Sequence, residues 1–254
     1  MTESRPFFEF WRTRAAFIEE LDPHENFYEA NALPWASLDA LGWAWARCLQ
    51  RDLNNPGRAR RRMGDFLARH GGLPFQRISL PALWARADAL DPAAVRAEVR
   101  NRLRRLGGRR EPTFIEQRQL RRSSEDPPVL EVLRELADIA AEKIKVKKSE
   151  TTVQDFVLAS RFGEIAYTEM RCSILHEGRL GDGAHSFDLG HDGPAYLSGV
   201  LTVPPSIGFH PSYMANVLRT CIDGFEREVQ ETGVDPVPPL RGCIVLGLDQ
   251  EPEA

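Results

Sequence analysis

The 254-residue sequence lacks a long apolar run, and its first residues do not have the pattern expected of a secretion signal. No stretch reaches the roughly 18 consecutive apolar residues that a membrane span needs, and even residues 35–49 include Asp39 and Arg47. The first ten residues contain acids where a signal peptide would have a basic flank and an apolar run. We therefore expect a soluble protein that is neither embedded in a membrane nor exported.

Cysteine and lysine are both scarce. The four cysteines are far apart in the chain and form no Cys-x-x-Cys pair, which argues against a zinc knuckle and against a dense disulfide framework. Reduced thiols in a cytoplasmic protein are the expected state. Only four lysines occur, at 143, 145, 147 and 148, so nearly every cation is an arginine. That bias is explained by codon composition as readily as by function.

Several common catalytic motifs are also missing. The chain contains no Gly-x-Gly-x-x-Gly, no Gly-Lys-Ser or Gly-Lys-Thr, and no Gly-x-Ser-x-Gly, which argues against the usual nucleotide hydrolases and serine hydrolases. Residues 176–192 are rich in His, Asp and Glu, but their spacing matches no known metal motif and is ordinary for a solvated loop. We expect neither a metal nor a cofactor.

The net charge of −4 conceals a strongly basic middle segment. Residues 51–122 contain 18 arginines against seven acids, a net charge of +11 that leaves −15 for the rest of the chain. Such a segment could follow the phosphates of a nucleic acid, but solvated charged helices have the same composition. The candidate nucleic-acid-binding residues are Arg100, Arg102, Arg104, Arg105, Arg109 and Arg110.

Apolar periodicity predicts a mainly α-helical protein. The predicted helices cover residues 26–47 with a kink or break at Pro34, 58–70, 80–89, 92–106, 129–148, 153–174 and 212–230. Short strands are predicted at 196–203 and 241–248, and paired prolines mark a boundary at residues 123–128.

The long predicted helix at 153–174 leads into a recognisable motif. Arg171-Cys-Ser-Ile-Leu-His176 places four residues between an arginine and a histidine, and Glu-Gly-Arg comes next. This sequence resembles the Arg-x4–6-His motif of HEPN (higher eukaryotes and prokaryotes nucleotide-binding) domains, as found in bacterial HEPN-like proteins. The segments at 27–31 and 37–41 are similar to the opening helix of such proteins.

The resemblance covers about residues 7–50 and 129–230, and it implies a HEPN-like helical bundle with a basic helical insertion and a small C-terminal strand element. The corresponding division is 1–50 for the first bundle helices, 51–128 for the insertion, 129–236 for the motif-bearing helices and 237–254 for a tail.

The resemblance also implies an activity. HEPN ribonucleases cut RNA without a metal, so His176 would be the general base or acid and Arg171 the phosphate clamp, with Ser173 and Glu177 as assisting residues. The family further implies a homodimer with facing motifs, RNA as the substrate, an antitoxin or regulatory protein as a partner, and a toxin or phage-defence setting. Cys172 stands where active members often have Asn or Asp.

Helix geometry restricts how the two motif residues can meet. Five residues of ideal α-helix rotate by about 500°, which leaves Arg171 and His176 roughly 140° apart around the axis. Either the helix unwinds before His176, as Gly178 permits, or two subunits contribute one residue each.

Two alternatives stay open at this point. In a purely structural interpretation, Arg171 pairs with a nearby acid and His176 caps a helix C-terminus. In a second functional interpretation, the chain is a non-catalytic HEPN-like module that binds nucleic acid or a partner protein through its basic middle.

Overall fold

The computed structural model describes residues 5–106, 123–146, 149–185, 193–197 and 205–236, and this part of the chain is mainly helical, as predicted. The α-helices are α1 (Arg5–Glu19), α2 (Phe27–Leu49), α3 (Ala59–His70), α4 (Leu80–Ala87), α5 (Ala93–Arg105), α6 (Val129–Glu135), α7 (Val153–Leu158), α8 (Phe162–Ala166), α9 (Ser173–Glu177) and α10 (Pro211–Thr232). A π-helical turn, Tyr167–Cys172, joins α8 to α9. None of the described helices is long and apolar enough to cross a membrane.

Two small antiparallel sheets accompany the helices. Their strands are β1 (Leu90–Asp91), β2 (Lys143–Val146), β3 (Ser149–Thr152), β4 (Ala195–Leu197) and β5 (Ser206–Gly208). The first sheet has the order β1-β2-β3, and Ile144 of β2 lies opposite Thr151 of β3. The second sheet pairs β4 with β5, and Tyr196 lies opposite Ile207.

The main hydrophobic core lies where α2, α3 and α10 pack together, with α1 against α10 and α8 against α3. Trp35, Phe66 and Phe225 are among its fully buried side chains. Removing such large apolar surfaces from water is the main stabilising contribution to a helical fold. Helix α3 lies within the predicted insertion, yet its apolar side chains pack in this core.

A second core forms from α4, α5, α6, β2 and α7, with Trp84, Leu103 and Phe156 buried in it. A buried polar contact connects the two cores. The Tyr196 hydroxyl lies 2.6 Å from both Asp126 Oδ2 and Ser79 Oγ, and Asp126 is almost completely buried. Burying a carboxylate is costly unless it accepts hydrogen bonds, so this network fixes where the second sheet lies against α4.

The helices with clear end signals were predicted correctly. Helices α3, α4, α5 and α10 match predicted segments to within a few residues, and α2 runs continuously through the buried Pro34. The N-terminal helix α1 was not predicted. The tail strand at 241–248 lies outside the described residues.

Two predicted helices were wrong. The segment 129–148 is helical only to residue 139, after which residues 143–146 form strand β2. The long helix at 153–174 is interrupted because Ile78 pairs with Arg161 in an isolated β-bridge and Ser79 N donates to Ser160 O. Both deviations come from contacts with distant parts of the chain.

Two facing glycines allow α3 and α8 to pack closely. A Cβ on Gly64 would lie 2.6 Å from Glu164 Cγ and 2.9 Å from Arg161 Nη2, and a Cβ on Gly163 would lie 3.1 Å from Gly64 Cα. By contrast, a Cβ on Gly42 of α2 would make an ordinary 3.5 Å contact with Phe66.

We predict that Gly64→Ala destabilises the protein by about 2 kcal/mol, because overpacking outweighs the gain of about 1 kcal/mol in helix propensity. The matched Gly42→Ala receives the same propensity gain without the clash and should be neutral or stabilised. Urea unfolding at equilibrium measures both. Equal midpoints for the two variants would show that the helices do not meet at Gly64.

His70, at the end of α3, is buried against the rings of Trp45 and Phe66, with Nε2 3.1 Å from Glu228 Oε2. Burial lowers the pKa of His70 from 6.5 to about 4, although the Glu228 carboxylate opposes the shift. Between these two pH values the unfolded chain binds a proton at this residue that the folded chain excludes. The folded state therefore loses stability as the pH falls through this window.

We predict that His70→Gln reduces the loss of unfolding free energy between pH 6.5 and 4 by up to about 3 kcal/mol. The variant has no imidazole to protonate when the chain unfolds. Urea titrations at a series of pH values test this, with the exposed His24→Gln as the control that keeps the wild-type slope. An unchanged slope in His70→Gln would contradict the assignment.

Candidate active site

The motif lies where the helix changes its winding. The turn from Tyr167 to Cys172 is π-helical, and α9 then continues to Glu177, where Gly178 ends it in the left-handed conformation with φ +68°. π-helical turns are rare and occur frequently at functional sites. The turn ends directly after Arg171, and His176 lies in the last turn of α9.

Arg171 and His176 meet within a single chain. Arg171 Nη1 lies 2.9 Å from His176 Nε2. The predicted separation of 140° assumed an ideal α-helix, and the conclusion that unwinding or a second subunit is needed was wrong. The wide turn alters the register ahead of the motif, the helix does not unwind before His176, and the long arginine side chain spans the remaining distance.

This contact indicates which tautomer of the imidazole is present. A guanidinium group has only donors, so His176 Nε2 must accept the hydrogen bond through its lone pair, and the ring proton is then on Nδ1. His176 is exposed, whereas Arg171 is partly buried. The imidazole is therefore more accessible from solvent than the guanidinium.

Asp39 of α2 accepts hydrogen bonds from the side of the Arg171 guanidinium that faces away from His176 Nε2. Asp39 Oδ2 accepts hydrogen bonds from Arg171 Nε at 3.0 Å and from Nη2 at 2.6 Å, and only 17% of the Asp39 side chain is exposed. Partial burial by itself lowers the pKa of Arg171, but attraction to the Asp39 carboxylate and hydrogen bonding to it raise that pKa above its ordinary value. The arginine is thus permanently charged and fixed in orientation.

A second arginine approaches the same carboxylate from the interior. Arg62 of α3 places Nη2 3.8 Å from Asp39 Oδ1, and its Nη1 donates to Leu53 O at 3.5 Å. Only 7% of the Arg62 side chain is exposed. Asp39 therefore lies between two guanidinium groups, one on each carboxylate oxygen.

Two tyrosines border the motif. The Arg171 guanidinium lies 5.4 Å from the centre of the Tyr167 ring, which is a cation–π distance. Burial is the main cause that raises the pKa of Tyr167, and the neighbouring Cys172 adds to it. On the solvent side, the Tyr28 hydroxyl donates to Ile174 O at 3.3 Å while 46% of the residue stays exposed.

The two predicted assisting residues have other partners. Ser173 is buried, and its hydroxyl donates to Thr168 O at 3.3 Å, across the wide turn. Glu177 is exposed and forms an ion pair with Arg179 at 2.9 Å. The structure thus brings together Arg171 and His176 and directs the functional groups of Ser173 and Glu177 elsewhere.

Three of the arginines predicted to bind nucleic acid form ion pairs inside the chain. Arg102 binds both oxygens of Asp138, at 2.5 and 2.7 Å, and these hydrogen bonds are the main cause that raises its pKa. Arg102 also pairs with Glu98, Arg105 pairs with Glu135, and Arg100 pairs with Asp88. Arg104 is exposed, and Arg109 and Arg110 lie outside the described residues.

Sequence reasoning did not assign a role to Asp39 or Arg62. Both are far from the motif in the chain, and the only local signal is that Asp39 is an acid within the apolar stretch at 35–49. Among the described residues, no group of three or more His, Cys, Asp or Glu side chains is arranged to hold a metal ion.

Comparisons with protein-family models, with curated proteins and with solved structures found no match for this chain. The HEPN resemblance accordingly stays a prediction that rests on the motif residues.

The ion pair between Arg171 and Asp39 should contribute to the stability of the fold. Arg171→Ala should lower the unfolding free energy by about 2 kcal/mol, because it leaves a largely buried carboxylate without its main partner. His176→Ala removes an exposed side chain and should change it by less than about 0.5 kcal/mol. Urea unfolding separates these outcomes, and an Arg171→Ala variant as stable as the wild type would show that the pair does not form in solution.

Proposed function

We propose that this chain is a metal-independent endoribonuclease of the HEPN type, in which His176 moves the proton and Arg171 binds the phosphate. The observation that carries the proposal is the 2.9 Å contact between Arg171 Nη1 and His176 Nε2 at the protein surface. An oriented, charged donor beside a histidine lone pair is the minimum that this chemistry requires.

The proposed reaction needs no group beyond these two and the RNA. A phosphodiester that binds Arg171 Nη1 competes for the donor that His176 Nε2 now holds, so binding frees the imidazole lone pair. Nε2 can then accept the proton of the 2′-hydroxyl as the 2′-oxygen attacks phosphorus. The imidazolium formed in this way returns a proton to the 5′-oxygen as its bond to phosphorus breaks, so the products are a 2′,3′-cyclic phosphate and a free 5′-hydroxyl. The guanidinium stabilises the additional negative charge on the phosphoryl oxygens.

The ion pair between Arg171 and Asp39 is also what the structural interpretation predicts, and a helix-terminal histidine fits it too. The contact with His176 distinguishes the catalytic interpretation, because a helix cap does not require an arginine on its ring nitrogen. By resemblance, the proposal includes a homodimer, RNA as the substrate, and an antitoxin or regulatory protein in a toxin or phage-defence setting.

We predict that the purified chain cleaves mixed cellular RNA in the presence of a chelator, and that His176→Ala lowers the rate at least a hundredfold, as expected for loss of a general base. His24→Ala, which also removes an exposed histidine, should retain wild-type activity. Sequencing of the new ends should find 2′,3′-cyclic phosphate or its hydrolysis product, and light scattering on the same samples should give the mass of a dimer.

Equal cleavage by wild type and His176→Ala would exclude His176 as the catalytic group and point to a contaminating nuclease. Absence of cleavage in both, with RNA binding retained, would favour the non-catalytic binding module. A monomer with full activity would remove the dimer from the proposal while leaving the active site in place.

A further inference from the structure

The charge of the motif arginine poses a problem for anion binding. Arg171 donates two hydrogen bonds to the Asp39 carboxylate, so the pair considered alone is close to neutral. A neutral pair attracts a phosphodiester weakly, because the carboxylate repels the ligand nearly as strongly as the guanidinium attracts it. Some further positive charge is needed if Arg171 is to act as a phosphate clamp.

Arg62 is placed to supply that charge from the interior. Its guanidinium lies on the opposite oxygen of the same carboxylate, 3.8 Å from Asp39 Oδ1, and 93% of its side chain is buried. Two guanidinium groups and one carboxylate give the cluster a net charge of +1. Asp39 and Arg171 lie nearer to solvent than Arg62. A ligand at the surface therefore meets the net positive charge of the cluster at Arg171 Nη1.

The hydrogen bonding of Arg62 is incomplete for a residue with a purely structural role. Within the described part of the chain, neither Arg62 Nε nor Asp39 Oδ1 has a hydrogen-bond partner, although both atoms are buried. Among the described residues, the one hydrogen bond that Arg62 donates goes to Leu53 O and is long at 3.5 Å. A buried arginine that makes so little of its hydrogen-bonding capacity is costly for folding alone.

We propose that Arg62 is a positioning residue for the phosphate: it offsets the charge of Asp39 so that Arg171 stays fixed in orientation and still attracts an anionic ligand. The inference rests on the proposed function, in which that ligand is a phosphodiester of RNA. Arg62 does not touch the ligand. Asp39 sets the direction of Arg171, and Arg62 restores the positive charge that this arrangement removes.

The test uses binding without cleavage. The probe is a fluorescein-labelled 2′-O-methyl octanucleotide, which has no free 2′-hydroxyl and cannot be cut through it, and the readout is fluorescence anisotropy at fixed ionic strength. Arg62→Met should weaken binding about tenfold, the effect of losing one charge a few ångströms from the site. The matched control is Arg61→Met, the neighbouring residue of α3, whose guanidinium pairs with Asp65 instead. Arg61→Met should bind within about twofold of the wild type.

A double variant separates charge from structure. In Arg62→Met/Asp39→Asn the net charge returns to +1, and the asparagine oxygen still accepts from Arg171, so affinity should return to within about threefold of the wild type. Wild-type affinity in Arg62→Met would overturn the inference. Equal weakness in the single and double variants would also overturn it, because it would show that Arg62 acts through local folding.

These outcomes are independent of the ribonuclease assay. A chain that cleaves RNA but binds the probe equally well with and without Arg62 retains the proposed function and loses this inference. A chain that cleaves nothing, but loses affinity in Arg62→Met and recovers it in the double variant, would contradict the ribonuclease proposal and support the role of Arg62 in offsetting the charge of Asp39.

Discussion

The site depends on one carboxylate. Asp39 lies on a helix whose neighbouring positions are apolar, and a largely buried carboxylate there is tolerated only because cations reach it from two sides. It comes from α2, whereas Arg62 and Arg171 come from α3 and the wide turn after α8. The three segments are therefore held together by the same charges that shape the site, and the packing of α3 on α8 through Gly64 and Gly163 keeps them at a constant separation.

Local signals were sufficient for much of the helical fold. Helix α5 begins after Asp91-Pro92, and α10 ends at Gly233, which adopts φ +67°. Such start and stop residues act through their own backbone chemistry, so they can be interpreted without knowledge of distant contacts. The resemblance to a HEPN bundle goes beyond this level, because it depends on how the helices are arranged in space.

The errors in the predicted helices come from contacts between distant parts of the chain. Residues 143–146 alternate lysine with Ile144 and Val146, a period of two that is typical of a strand, but the lysines suggested a helix C-terminus. These residues form a strand because β2 pairs with both β1 and β3.

The sequence predicted two of the four charged or titratable residues of the candidate site. Arg171 and His176 are neighbours in the chain and could be recognised as a motif, whereas Asp39 and Arg62 join them only after folding. Ser173 shows the limit of inference from proximity: it is two residues from Arg171, but its hydroxyl is turned back to Thr168 O. Ideal helix geometry also placed the two motif residues too far apart, because it did not take the reach of the arginine side chain into account.

That wide turn makes the segment tolerant of a change in its length. A π-helical turn contains one residue more than the α-helical turn that it replaces. Losing one residue from 167–172 would let the helix close with regular winding, and the five remaining residues would turn through about 500°, close to the rotation of the six residues that they replace. Helix α9 would then keep its face toward the core, and only side chains within the turn would be redirected. The site is thus more sensitive to which residue stands at 171 than to the number of residues in the turn.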